Sequence, residues 1–478
     1  MDRRRLVLVA TILGSSLAFL DAFVVNVALP TIDDELGLGL AGEQWMFLSY
    51  SLALAALYLP AGALGDRYGY VNTFVVGVTG FALASLLAGA APTGEVLIAA
   101  RAVQGVFGAL LTPGSLALLR ATYKDEAGRA IGAWTAWTGV ATAAGPVVGG
   151  AIVEAVSWRV IFLLNIPLAA VAVTFALVSR DRCRTQLRRR RLDPAGIVLG
   201  AVAVGALVWS LVEGPEIGFD SASVLAGFVV AGVALAAFVF VESRVAEPMM
   251  PLSLFRIREL SVANLATFFV YAALGSALFF LVLFAQSVLG YSPTEAGLVV
   301  APISLILLAL AARFGRLADQ LGPRLFLVGG PLGIALGLVL LSRLEAGASY
   351  WLEVFPALVV FSVGLAATVP PITSAALKPA PDGLTGVASG INTTVSRLGQ
   401  LIAVAALGVV VSVVYGTTNG SPFELGERTA DELAGAADAF SAAMWVAAGL
   451  AAAGALVSGV GLRGRARSEE PERAPGTA

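Results

Sequence analysis

Fourteen apolar runs, each 16 to 28 residues long, lie almost end to end from Leu6 to Val460, and most linkers between them are too short to fold. A helix rises about 1.5 Å per residue and the hydrocarbon core of a bilayer is about 30 Å thick, so about 20 apolar residues cross it. The chain therefore reads as an all-α polytopic membrane protein with 14 transmembrane helices. Its 478 residues are 58% hydrophobic and 13% charged. A soluble chain of that length shows amphipathic periodicity and two or three domains instead.

Basic residues orient the spans, because positively charged loops stay in the cytoplasm. With Arg3, Arg4 and Arg5 inside, 25 of the 30 Lys and Arg fall in cytoplasmic segments. Three fall outside (Arg159, Arg343, Arg428) and two within spans (Arg101, Arg397). Both termini are then expected in the cytoplasm of a multi-pass protein of the cell membrane. The net charge of −2 averages a basic inside against acidic outer segments such as Asp33, Asp34 and Glu35. The Arg188 to Arg191 run reads as a positive-inside anchor touching anionic lipid, with no call for nucleic acid. The single cysteine, Cys183, lies in that loop, so no disulfide framework or cysteine metal site is available, and the chain has no His. No metal site or cofactor is expected, and the first span is too long for a signal-peptide core.

A repeat divides the chain. Gly62 to Gly69 follows the second span and Gly315 to Gly322 follows the tenth, both reading Gly-x-x-x-Asp-x-x-Gly with Asp66 and Asp319 at an offset of 253 residues (319 − 66). Thr112-Pro113 and Val369-Pro370-Pro371 occupy matching places in the fourth helix of each half. The expected organisation is 6+2+6: a six-helix bundle over 1–180, a linker with two inserted helices over 181–258, a second bundle over 259–462 and a disordered tail over 463–478. Parallel repeats of this kind bind substrate between the halves near the midplane. The inserted pair, Ala195 to Val241, carries few polar residues and is expected to line neither path nor site.

Asp21 is the least expected residue, since a charge at a helix centre costs about 2.5 to 3.5 kcal/mol on insertion scales and faces a partner or a wet cavity. It lies nine residues before Pro30, about 14 Å below the outer end of its span. Arg101, six residues after Glu95 on an inward-running helix, lies about 9 Å below the same face, and Gln104 falls level with Asp21. Either the Asp and Arg form a structural ion pair, or the carboxylate changes protonation as access alternates. Gly145, Pro146, Gly149 and Gly150 in the fifth span allow close helix approach and a bend, read equally as packing or as a hinge. Asp66, beside Arg67, either caps a neighbouring helix in one conformation, worth about 0.3 to 1 kcal/mol when exposed, or is a plain loop aspartate in a turn, with the repeated spacing favouring the first. Asn26, Asn165, Asn264, Gln286 and Asn392 are isolated amides that serve as cavity contacts or as interhelical hydrogen bonds. Arg397, in the thirteenth span, either snorkels or faces the cavity.

With these residues in order, the chain resembles the fourteen-helix drug:proton antiporters of the major facilitator superfamily from Leu6 to about Leu462. The first-span signature is Leu20 to Pro30, the loop motif Gly62 to Gly69, and the fourth-helix motif Arg101-x-x-Gln104-Gly105. The exporter motif is Gly145-Pro146-x-x-Gly149-Gly150, followed by Trp158 to Pro167. The resemblance implies a major facilitator fold and proton-driven export, with Asp21 and Arg101 coupling protons and the Gly-Pro helix as a pivot. The chain departs from the family at Phe23, where Thr or Ser is usual, at Ala141, where the motif has Gly, and at Tyr70 and Val71, which replace basic residues. Its thirteenth span lacks the carboxylates that some relatives use for cationic drugs.

The function expected is therefore proton-coupled export of hydrophobic or amphipathic drugs or small molecules, with no enzymatic chemistry, by a chain acting as a monomer. An importer, a uniporter, or a lipid or metabolite exporter on the same fold is the first rival. A membrane enzyme or sensor is the distant one, since Asp21 has no second aspartate inside a span to form a dyad.

Overall fold

The computed structural model describes residues 3–179, 193–245, 248–381, 384–416 and 421–462. Cys183, the Arg188 to Arg191 run and the 463–478 tail lie outside the described residues. The described residues form helices and no strand.

In the first part of the chain, α1 (Arg3–Leu36), α2 (Gly39–Tyr68) and α3 (Tyr70–Gly89) each cross once. The fourth span is α4 (Gly94–Gly108) with α5 (Leu111–Tyr123), the fifth is α6 (Ala127–Ala155), and the sixth is α7 (Trp158–Leu163) with α8 (Asn165–Val178). The two breaks share a cause. Pro113 and Pro167 have no N–H to offer the carbonyls four residues back, at Ala109 and Leu163, and each helix loosens there. The hydropathic runs continue straight through, so hydropathy alone does not reveal either break.

The inserted pair follows as α9 (Pro194–Ile217) and α10 (Ala222–Arg244). Six more spans complete the chain: α11 (Arg258–Ser287), α12 (Pro293–Leu321), α13 (Pro323–Leu341), α14 (Phe355–Leu377), α15 (Thr385–Tyr415) and α16 (Ala430–Gly461). With α2, bent near Pro60, taken as one span, 14 helices among the described residues are long and apolar enough to cross a membrane.

Local sequence sets several helix starts. Asp193 caps α9 by accepting from the Gly196 amide, with Pro194 opening the helix. Ser292 with Glu295 and Thr429 with Glu432 form capping boxes at α12 and α16. The repeated loop motif ends in a true structural repeat: Gly69 and Gly322 adopt φ of 89° and 91°. Each amide returns to a carbonyl four residues back, at Gly65 and Ala318, over 3.0 Å. Glycine occupies that region without steric cost, which accounts for the last residue of the motif.

Within the first set of helices α1 packs against α6, α8 and α5; within the last set α11 packs against α15 and α16. Across the seam α6 meets α12, α2 meets α15, and α1 meets α11. Helix α9 lies against both α2 and α15, and Trp45 Nε1 donates to Glu213 over 2.7 Å, so the inserted hairpin sits on the seam. The start of α1 at Arg3 and the end of α16 at Gly461 lie on one face of the bundle, as an even number of spans requires, here called the terminal face.

The opposite face is closed. Asn26 Nδ2 donates to the Leu278 carbonyl (3.3 Å), Gln286 Nε2 to Val27 (2.9 Å) and Gln44 Nε2 to Val404 (2.7 Å), each joining one half to the other. Phe47 of α2 also packs on Phe279 of α11 across the seam, with ring centroids 5.7 Å apart, and Phe280, Phe423, Phe284 and Phe440 continue that packing within the second half. On the terminal face the halves part around a cavity of about 390 Å³ lined by helix ends, including Asp66, Arg120 and Gly386. Asp193 and Ile197 of α9, with Pro248 and Met249 after α10, also line it. The expectation that the inserted helices line no path is therefore corrected: their ends reach the mouth because α9 is wedged into the seam.

Candidate functional site: a buried carboxylate network beside a central cavity

Asp21 on α1 and Arg101 on α4 meet in an ion pair between Oδ2 and Nη1, the difference between their expected depths, about 5 Å, being within the reach of an arginine side chain. Both are buried, with 2% and 1% of their side chains exposed. Arg101 Nη1 also donates to Gln104 Oε1 (2.9 Å), and its Nε donates to the Met46 carbonyl (3.3 Å). The other carboxylate oxygen, Oδ1, accepts from Gln104 Nε2 and Asn165 Nδ2, each at 3.3 Å. The same two amides donate to Ser85 Oγ over 2.8 and 3.2 Å, and Ser85 in turn donates to the Phe81 carbonyl. Five spans thus contribute to one hydrogen-bonded network around the carboxylate, which itself accepts from the fourth and sixth. A buried pair of this kind is costly to open, since removing one partner destabilises by about 3 to 5 kcal/mol.

An aromatic wall separates this network from the cleft. The Arg101 guanidinium lies 4.4 Å from the Tyr50 ring centroid and 5.9 Å from that of Phe162. The Tyr50 hydroxyl donates to the Ala18 carbonyl over 3.2 Å. On its far side Tyr50 lines a central cavity of about 230 Å³ with Phe19, Leu54, Thr112, Thr393 and Arg397. This cavity adjoins the larger one at the terminal face, sharing Tyr58 and Thr393 with it. Arg397 therefore stands in the cavity wall, and the snorkelling alternative is not adopted.

The remaining candidates are distributed otherwise. Asn26 and Gln286 lie in the closed seam, away from the cavity, because their positions on α1 and α11 face the other half. Asn392 Nδ2 donates to Asn264 Oδ1 (3.1 Å) and Thr267 Oγ1 (3.0 Å), fastening α15 to α11 within one half. Asp66 accepts from the Tyr70 hydroxyl at 2.5 Å, and α3 begins without a side-chain cap. Arg67 is exposed and lies over the Tyr68 ring at 5.4 Å. Asp319 pairs with Lys378 at 3.0 Å on the exposed terminal face. Gly145, Pro146, Gly149 and Gly150 lie where α6 touches both α1 and α12: a Cβ on Gly149 would stand 2.6 Å from Val24 Cγ1, and one on Gly150 would meet the backbone of Pro293.

Sequence reasoning missed three participants. Ser85 carried no signal, because a lone serine is ordinary in an apolar helix. Tyr50 carried none either, because its direction toward Arg101 is set by the packing of α2 on α4. Glu43 was not singled out, yet it is fully buried, and neither carboxylate oxygen has a hydrogen-bond partner among the described residues.

Residues 11–404 match the model of the Major Facilitator Superfamily. The multidrug resistance protein Stp of Mycobacterium tuberculosis is 37% identical over 426 residues, covering 87% of this chain and 78% of that protein. The tetracenomycin C resistance and export protein of Streptomyces glaucescens is 35% identical, covering 85% and 75%. The multidrug efflux pump LfrA of Mycolicibacterium smegmatis is 33% identical, covering 91% and 85%. Among solved structures, a bacterial homolog of the human lysosomal transporter Spinster superposes with a TM-score of 0.69 at 17% identity, covering 96% of this chain and 97% of that one. An auto-inhibited POT family peptide transporter superposes at 0.70 and 14%, covering 98% and 99%. Fourteen spans, two repeated halves and this similarity along most of the sequence lead to one conclusion: the chain belongs to the Major Facilitator Superfamily, a family of multi-pass membrane transporters rather than enzymes.

Proposed function

We propose that the chain is a secondary active exporter that expels hydrophobic or amphipathic small molecules, drugs among them, in exchange for protons. The names of its relatives, resistance and efflux proteins, support export. The observation that carries the coupling is the burial of Asp21 against Arg101, Gln104 and Asn165, one aromatic ring away from the central cavity. Protonation of Asp21 releases Arg101 from its partner, and that change reaches the cavity through Tyr50. With both termini in the cytoplasm, as the basic residues favour, the open face admits substrate from inside. The bundles 1–180 and 259–462 rock about the α6–α12 seam, and one chain holds the whole path, so a monomer suffices.

One proton moved through 100 mV supplies about 2.3 kcal/mol, enough for a substrate gradient of about 50-fold. The test is Asp21→Asn in proteoliposomes under an imposed pH gradient, together with a drug-susceptibility panel in a pump-deficient host. The Asn variant, which leaves Arg101 without its countercharge, is expected to melt lower than wild type yet to reach the membrane folded, and to lose gradient-driven transport and resistance. Wild-type rates and wild-type gradient dependence in the variant would sink the assignment. A wild-type protein indifferent to the gradient would be a uniporter.

A further inference from the structure

We infer that the central cavity recognises an anionic group on an amphipathic substrate through Arg397. This rests on the reading of that cavity as the transport site. Arg397 lies 12 residues after Thr385 on a 31-residue helix, about 18 Å along it from the terminal face. That is farther than an arginine side chain reaches, so the guanidinium does not snorkel to the terminal face but stays in the cavity wall.

Among the described residues no hydrogen bond, ion pair or ring contact holds its guanidinium. The contrast with Arg101 is direct, for that residue has a carboxylate, an amide, a carbonyl and a ring around it. Nor does the cavity supply a countercharge. Its lining contains no Asp or Glu, and its polar atoms are hydroxyls of Tyr50, Tyr58, Thr112 and Thr393. The nearby carboxylate, Asp21, is already committed to Arg101 behind the Tyr50 ring.

Two consequences follow from elementary electrostatics. The Asp21–Arg101 pair cancels, so the cavity carries the single positive charge of Arg397 and repels a cationic body. A charge kept inside a membrane protein without a partner marks a ligand path, and the planar guanidinium fork matches a carboxylate, sulfonate or phosphate. Ala18, Phe19, Ala22 and Leu54 offer the rest of the ligand an apolar surface. The ligand class is an aromatic or aliphatic body bearing one anionic oxygen group. A small organic acid and an anionic lipid headgroup share that chemistry.

The test measures binding without any gradient, using the full chain in nanodiscs of zwitterionic lipid. The probes are a matched set: naphthalene-1-acetate, naphthalene-1-methanol and naphthalene-1-methylammonium, followed by tryptophan fluorescence and equilibrium dialysis. Wild type is expected to bind the acetate at least tenfold tighter than the ammonium. Arg397→Met should erase that order, and Arg397→Lys should keep part of it. Because Arg397 has no partner to lose, Arg397→Met is expected to melt no lower than wild type, which separates lost recognition from lost folding. Equal binding of the charged probes by wild type, or an order unchanged in Arg397→Met, overturns the inference. In a second arm the discs contain phosphatidylglycerol. Displacement of the acetate, absent from Arg397→Met, supports anion recognition and identifies the headgroup as a ligand; undiminished acetate binding supports it with the soluble acid as the ligand. A null result with Asp21→Asn would strike at proton coupling and leave this binding order standing, so the two readings fail separately.

Discussion

Two buried carboxylates show how differently one chemical group can be held. Asp21 is matched by a guanidinium and two amides. Glu43 lies at the start of α2 with both oxygens unpartnered among the described residues, and Asp33 and Glu424 are the charged groups that act on it. An unsatisfied buried polar group costs about 1 to 3 kcal/mol. A native protein retains such a cost where another state of the molecule relieves it, and Glu43 sits under the closed face, where opening would bring water. Replacement by an apolar side chain of similar length, Glu43→Met, is therefore expected to raise the thermal stability of the purified protein by about 1 to 3 kcal/mol while slowing transport. A lower melting temperature in the Met variant would show that Glu43 is satisfied and holds the fold.

Helix α6 works at the scale of whole elements. It is clasped between α1 and α12, and small residues bring backbones together on both sides. A Cβ on Gly297 of α12 would stand 3.0 Å from the Val147 amide nitrogen, and one on Gly150 would lie 2.7 Å from Thr294 Cα. Backbone cannot move aside as a flexible side chain does. Gly150→Val is accordingly expected to cost about 1 to 3 kcal/mol by overpacking, read as a lower melting temperature and weaker transport. Gly232 of α10 provides the control, since nothing lies within 4 Å of a Cβ placed there. Gly232→Val should melt with wild type. Equal effects of the two substitutions would mean that the α6–α12 contact has no special tightness.

For the whole molecule, the state of the cleft is decided by a few contacts across the seam. The amides of Gln44 and Gln286 each bridge the halves on the closed face. Interhelical hydrogen bonds in membranes contribute about 0.6 kcal/mol on average and up to about 1.7. Removing both, as Gln44→Ala with Gln286→Ala, is expected to shift the balance toward opening by about 1 to 3 kcal/mol, or about 5- to 150-fold in population. A cysteine placed at the fully buried Ile32, in a background with Cys183→Ser, gives the readout. Thiol labelling from the closed face should accelerate in the double variant. Unchanged labelling would show that packing across the seam, such as Phe47 on Phe279, and not these amides, holds the face shut.

Much of this was legible in the amino-acid order. Hydropathy alone determined the number of spans, because in lipid each helix must satisfy its own backbone and so declares itself by length and composition. The helical rise alone put Gln104 level with Asp21, and Arg101 within a side chain's reach of it, and the three meet. The spacing of the Gly-x-x-x-Asp-x-x-Gly loops set the repeat, and both copies end in the same backbone turn. What only the tertiary structure decided is direction around each helix axis. Asn165 joins Asp21, whereas Asn26 and Gln286 tie the halves and Asn264 with Asn392 fastens one half. Arg397 faces the cavity, and Ser85 turns from an unremarked hydroxyl into the bridge beneath the carboxylate. In an apolar helix surrounded by apolar lipid, no periodicity distinguishes the lipid face from the packed face. The partner helix makes that choice, through van der Waals fit and interhelical hydrogen bonds rather than through hydropathy.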